Sequence, residues 1–526
     1  MSLQVPRSLN PETLSSIGPS SVYPPCPLCL CGWPLLCALG HPPCPPPAPF
    51  STRPPPGPPI PVKVAVIGLE GADPSLVFDE LADAMPNLAE LAEDGVSGPL
   101  ASTHPPEPIP AWTSFLTGQN PGELGLTGET NRDWTITRQG RQAPYGEGAR
   151  VGSLALDEAT VWERAGEAGC DLALVGLPHT FPVEPVDGTV VAGSPAPGPD
   201  AAVTHPPELG EELALGEAFF TEPPAEADRQ SKLDRARAAL AQRFDVAEHL
   251  AERSWDLFAM VARSPRLVQE TAWSTHDTEH ALHEDDTGDA VRAHHRRLDE
   301  RIGDLVETLP DDTAIVVASV QGAQACQGTV QLNAWLRREG YLSLADEPEA
   351  PTAFDAERVD WANTQAWAAG GAAGHIHLNV AGREPQGTVP PLDYEALRDE
   401  LQAELAAIDA GDGHLAAQAI APGEVHEGAR VDEGPDLFVY VEELAYRCEA
   451  SLGHETVLTD PARGRHEATA SSEGLIVVSD PGDRFSGTVD DMQATDGAAT
   501  LLDLLGLDVP EKLEGRVLQP DGSLPG

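Results

Sequence analysis

Val62-Lys63-Val64-Ala65-Val66-Ile67-Gly68 is a short, almost wholly apolar run, followed by Leu69-Glu70-Gly71-Ala72-Asp73. Such a run, bounded by glycine, fits a strand buried on both faces, the environment of a parallel sheet. The same texture recurs downstream. Asp171–Val175, Leu257–Ala262, Thr313–Ser319, Asp436–Val441 and Gly474–Ser479 read as buried strands. Helical spacing fits Pro74–Ala82, Asn87–Asp94, Val161–Ala168, Ala290–Leu309, Val330–Arg338, Tyr394–Ile408 and Asp496–Leu505. Strands alternating with helices predict an α/β fold with a mainly parallel central sheet sandwiched between helices. In such sheets ligands gather at the carboxyl ends of the strands, so the residues just after each strand carry the chemistry. The Pro- and Gly-rich stretches Val183–Pro207 and Asp409–Pro435 read as solvated loops inserted in one large domain, residues 62–526.

Composition narrows the partners. The chain carries 84 acidic and 32 basic residues, a formal charge of −52, and its only lysines are Lys63, Lys232 and Lys512. An acidic surface spread over the whole chain repels itself at low ionic strength and points to adaptation to a salt-rich cytoplasm. Nucleic acid and anionic membrane are excluded as expected partners, because phosphate binding needs clustered Lys and Arg.

Residues 1–61 differ from the rest. They hold 19 of the 52 prolines and five of the eight cysteines. The apolar stretch Leu28–Leu39 is broken by Pro34 and too short to span a bilayer. Cys26-x-x-Cys29 with Cys31, Cys37, His41 and Cys44 lacks the second regular pair of a zinc module. The expectation is a disordered segment or a mis-set start, with translation beginning near Val62 or Lys63. The remaining Cys170, Cys326 and Cys448 are too few for a disulfide framework and agree with a reducing, cytoplasmic location.

Several segments, taken in order, resemble the alkaline phosphatase superfamily in its type I phosphodiesterase/nucleotide pyrophosphatase branch. They are Val64–Asp73, Met85–Gly95, Pro110–Gly118 with Asn120-Pro121-Gly122, Leu332–Leu336 with Gly340–Leu342, Leu378-Asn379 with Gly382–Pro385, Pro435–Leu437, and Asp496–Leu518. The resemblance implies an alkaline-phosphatase-like α/β sandwich and a two-metal hydrolase, usually with zinc, in which paired divalent ions hold the phosphoryl oxygens and activate a Thr or Ser at a helix start.

Position by position, this sequence departs from the family's ligands. The first metal aspartate becomes Glu70. The nucleophile, ten residues before Gly118, becomes Pro108. Thr113 and Ser114 are nearby hydroxyls, read as packing on a helix face. The Asp-x-x-x-His after Leu257–Ala262 becomes Pro265 and Gln269. The Ser-Asp-His-Gly after Thr313–Ser319 becomes Ser319-Val320-Gln321-Gly322. The last ligand position holds His466. Glu70 and His466 are thus the residual metal positions, too few for normal zinc affinity, and no catalytic residue is assigned. The expected function is a family member that has lost metal-dependent phosphoester hydrolysis and acts, if at all, by binding a small anion or a protein partner; a chain with no selected role is a further reading. No cofactor is expected.

The alternative is an active phosphoesterase or phosphodiesterase using zinc or another divalent ion in a rearranged site. Glu70, His466 and the cluster His276-Asp277-Thr278-Glu279-His280-Ala281-Leu282-His283 would supply it. His276, His280 and His283 would share one face if helical, at i, i+4 and i+7. His294-His295 reads as surface, given Arg296, Arg297 and Asp299 beside it.

Overall fold

The computed structural model describes residues 63–525 apart from 133–144, 146–148, 151, 154–155, 221, 286–287, 412 and 483. The expectations for residues 1–61 lie outside the described residues.

The opening run forms the strand Lys63–Leu69 and lies in the middle of the main sheet, between Leu257–Ala262 and Thr313–Ser319, parallel to both. Leu172–Val175 and Gly188–Val191 extend the parallel set on one side; Glu473–Ser479 and Val96–Ala101 close the other side antiparallel to Thr313–Ser319 and to each other, respectively. The alternation of a strand explains why the central run is apolar from Val64 to Leu69. Ala65, Ile67 and Leu69 enter one core, while Val64 and Val66 enter the other. The first core is roofed by the helices Arg229–Ala251, Ser264–Ala272 and Ala290–Thr308, the second by Pro108–Thr117, Val161–Glu167 and Asp496–Leu504. Each fully buried Val, Leu or Ile contributes about 1.5–3 kcal/mol by removal of apolar surface from water. This is the α/β architecture anticipated from the sequence.

Register places the site. Leu69 pairs with both Ala262 and Ser319, so three central strands end at one level, and the residues that follow them are Glu70, Arg263 and Val320.

A second, mainly antiparallel sheet stands apart. It contains Ala366–Ala369, Gly374–Leu378, Leu437–Val441, Tyr446–Glu449, Gly328–Gln331 and Leu458–Thr459, with His414–Ile420 beside Leu437–Val441. Its own core includes Val330, Leu336, Trp367, Ile376 and Val439. Some sequence expectations change here. The strand at 436–441 belongs to this sheet rather than to the parallel one. Val330 is in the strand Gly328–Gln331, so the helix begins at Leu332. Ala407–Asp409 leaves the preceding helix to pair with His414–Ile420, and the stretch 183–207 holds the strand Gly188–Val191. Backbone pairing across the chain overrode loop-like composition at both places. Among the described residues, no helix is long and apolar enough to cross a membrane.

Candidate functional site

Glu70 leaves the first strand and is buried, 2 % exposed. Its carboxylate is taken by arginine. Arg266 donates from Nε to Glu70 Oε2 at 2.9 Å, and Arg263 Nε stands 3.5 Å from Oε1. Both come from the start of the helix Ser264–Ala272, where Pro265 occupies the first turn, a place that needs no N–H donor. Arg266 is satisfied on every side, donating also to Glu270 and Glu222 at 2.9 Å each. The guanidinium thus supplies the positive charge that a carboxylate at this depth requires.

Gln269, one turn further on, is fully buried and donates to Gly71 O at 2.7 Å. Ser319 Oγ accepts from Ala72 N at 3.1 Å and donates to Gln321 O at 2.7 Å. Val320 packs in the apolar core. Gln269, at a ligand position, and Ser319, beside two others, therefore hold the strand-end turns together by neutral hydrogen bonds.

Glu107 caps the helix Pro108–Thr117 by position, and its Oε1 accepts from Ala372 N at 2.8 Å. Burial pushes its pKa up, against the pull of that N–H and of the Arg447 charge. Pro108 stands at the helix start without a hydroxyl. Thr113 is buried inside the helix, bonding Ile109 O at 2.6 Å and His179 Nε2 at 2.5 Å, and Ser114 is equally buried. Neither lines the cleft.

The cleft above the strand ends measures about 510 Å³. Pro108, Arg266, Gln269, Gln321 and His466 line one side; the second sheet supplies His375, His377 and Arg447 on the other. His466 adopts a left-handed backbone (φ 52°), and burial together with the Arg447 charge holds its pKa far below the ordinary imidazole value. Its Nδ1 has no hydrogen-bond partner among the described residues. His375 and His377 share a face of Gly374–Leu378, two residues apart. Burial lowers His375 to about 4 and His377 further, so both are neutral.

Glu70 and His466 are not joined in a ligand set. Glu70 is committed to Arg263 and Arg266, and among the described residues no group of three or more His, Cys, Asp or Glu is disposed to hold a metal ion. The donors around the strand ends do not fit a two-metal centre.

The histidine cluster is not helical, which corrects the expected shared face. Residues 276–283 form turns. His276 lies between Asp289 (2.9 Å) and Glu80 (3.0 Å), His280 Nε2 meets Cys326 O and Glu467 O, and His283 Nδ1 meets Ser274 O. Each ring serves a different loop contact. His294 and His295, expected at the surface, are buried, with burial lowering them to about 3 and about 4. His294 bonds Ser264 Oγ and His295 bonds Val291 O.

Arg266, Arg447, His375 and His377 were not foreseen. The alternation His375-Ile376-His377 was the available signal, since it puts two imidazoles on one face of a strand.

Residues 64–482 match the family model for type I phosphodiesterase/nucleotide pyrophosphatase. A comparison with curated proteins gives no match. Among solved structures, murine ectonucleotide pyrophosphatase/phosphodiesterase 5 aligns at 11 % identity and TM-score 0.49, covering 86 % of this chain and 97 % of that one. The human protein of that name aligns at 10 % identity and TM-score 0.49, covering 85 % and 96 %. An inactive variant of the murine protein in complex with AMP aligns at 13 % identity and TM-score 0.47, covering 86 % and 97 %.

Proposed function

This chain belongs to the type I phosphodiesterase/nucleotide pyrophosphatase family, and from that premise we propose that it is a non-hydrolytic, metal-independent member whose cleft binds a ligand instead of cleaving one. The observation that carries this reading is the pairing of Glu70 with Arg266. A two-metal phosphoryl transfer needs carboxylates free to bind cations and a hydroxyl for the metal to activate. Here the carboxylate after the first strand already has its counter-charge, supplied by Arg263 and Arg266 at the start of the helix Ser264–Ala272. Pro265, Gln269, Val320 and Gln321 offer no anionic ligand, and Pro108 offers no nucleophile. What remains is a polar cleft of a size that suits a small organic ligand.

The test is metal content together with turnover. The full chain, purified in molar KCl without chelator, is measured by elemental mass spectrometry and assayed with bis-p-nitrophenyl phosphate in added zinc or manganese. Substoichiometric metal and no hydrolysis above buffer are expected. One or two tightly held ions per chain with metal-dependent turnover would overturn the reading.

A further inference from the structure

Resting on that reading, we propose that Arg447 is the anchor of an oxyanion site in the cleft, and that the ligand is a small organic anion whose carboxylate or phosphoryl group lies against this guanidinium.

Four arginines line the cleft: Arg132, Arg266, Arg447 and Arg465. Three have carboxylate partners, Arg132 with Glu384, Arg266 with Glu70, and Arg465 with Glu449 at 3.3 Å. Among the described residues, Arg447 has no carboxylate within ion-pair distance. Its Nε is buried and has no hydrogen-bond partner among them. In a chain with 84 acidic residues against 32 basic, a carboxylate is the default neighbour of any guanidinium. A partly buried arginine without one carries an unmet demand for an anion.

The backbone holds Arg447 where such an anion would enter. It lies in the strand Tyr446–Glu449, locked in register with Gly328–Gln331 so that Arg447 pairs with Thr329. Arg447 lines the cleft together with Glu107 and His466, and its charge pulls the pKa of both down. His375, His377, Thr469 and Gln321 line the same cleft, and each has a buried polar atom (Nε2, Nδ1, Oγ1 and Oε1, respectively) with no hydrogen-bond partner among the described residues. Neutral imidazoles and a hydroxyl can donate to an anion or accept from the body of an organic ligand, according to tautomer and rotor. The volume of about 510 Å³ exceeds that of a bare inorganic oxyanion and leaves room for a ring or short chain. The two Nη groups of Arg447 form a planar fork, the geometry that carboxylates and phosphoryl groups share.

The test is isothermal titration of the full chain in molar KCl with EDTA, using benzoate, phenyl phosphate and inorganic phosphate as probes. Benzoate or phenyl phosphate is expected to bind, and the stronger of the two identifies a carboxylate or a phosphoryl head. Arg447→Gln is expected to weaken that probe by about 10- to 100-fold, the usual effect of losing a charged hydrogen-bond donor. Arg338→Gln, an exposed change of equal charge, leaves it unaltered. Should Arg447→Gln fail to fold, Arg447→Lys is read in its place and still weakens binding by losing the fork. Absence of binding by every probe to the unaltered chain, or equal binding by the Arg447 variant, overturns the site. Binding that survives EDTA but ignores Arg447 overturns this inference alone. Cleavage of phenyl phosphate by the metal-loaded chain overturns the non-hydrolytic reading instead.

Discussion

The Nε–H of Arg266 meets Oε2 of Glu70 at 2.9 Å, across 196 residues of chain, and the same guanidinium is held by Glu222 and Glu270. A cation fixed to the protein thereby balances the buried carboxylate at the end of the first strand. The energetic consequence is asymmetric: removing one partner strands a buried charge, whereas removing both does not.

Arg266→Met is therefore expected to destabilise the fold by about 3–5 kcal/mol, because only Arg263, at 3.5 Å, would remain beside Glu70. The double variant Glu70→Leu with Arg266→Met should recover part of that loss, since Glu222 and Glu270 still lose Arg266. Urea denaturation in molar KCl measures both. A cost below about 1 kcal/mol for the single variant would show that Glu70 does not depend on this pair.

Gly71 provides a geometric check on the Gln269 clasp. Its φ is +87°, and a Cβ there would lie 2.1 Å from Gln269 Oε1. Gly340 has φ +90° with nothing near the added atom. Gly340→Ala should cost only the left-handed backbone penalty of about 1–2 kcal/mol. Gly71→Ala should cost more by about 1–3 kcal/mol, the usual range for overpacking. Equal losses in thermal melts would mean that Gln269 moves aside freely.

Acid should unfold the protein through its buried imidazoles. Burial lowers His294 to about 3, and His295, His375 and His426 to about 4, from 6.5 in the unfolded chain. Between these values the unfolded state binds more protons, so stability falls as pH drops from 6.5 toward 4. The slope is up to about 1.4 kcal/mol per pH unit for each such histidine. His295→Gln should flatten the stability–pH curve by about one proton in that window. An unchanged slope would show that His295 protonates without unfolding.

With a formal charge of −52, the native state should also demand salt. Screening lengths shrink from about 10 Å at 0.1 M to about 3 Å at 1 M. The Tm is therefore expected to climb with KCl across this range, and a flat Tm would remove self-repulsion as a determinant of stability.

Much of the fold was legible because its signals are local. Leu257–Ala262 and Thr313–Ser319 begin and end where their apolar runs do, since a strand buried on both faces must be apolar throughout. The helix Arg229–Ala251 was missed, because charged residues between Leu233, Ala236, Leu240, Phe244 and Ala247 obscured its apolar stripe. His294 and His295 were misplaced because their charged neighbours suggested a surface. Even Asp299 among those neighbours is buried, accepting from the backbone N–H groups of Asn87 and Leu88. The second sheet escaped notice for another reason: its short strands pair across long separations, and pairing partners leave no periodic mark.

The chemistry divides along the same line. That Pro108 has no hydroxyl, and that Pro265, Gln269, Val320 and Gln321 carry no charge, are properties of side chains and hold in any fold. Where the surviving charges go is a matter of distance. Only the packed chain brings Arg266 to Glu70, and only the packed chain leaves Arg447 in the cleft with no carboxylate at ion-pair distance among the described residues. Covalent identity travels with the sequence, whereas an electrostatic interaction falls off with separation in space and with the dielectric between the charges, and both of those are set by the tertiary structure.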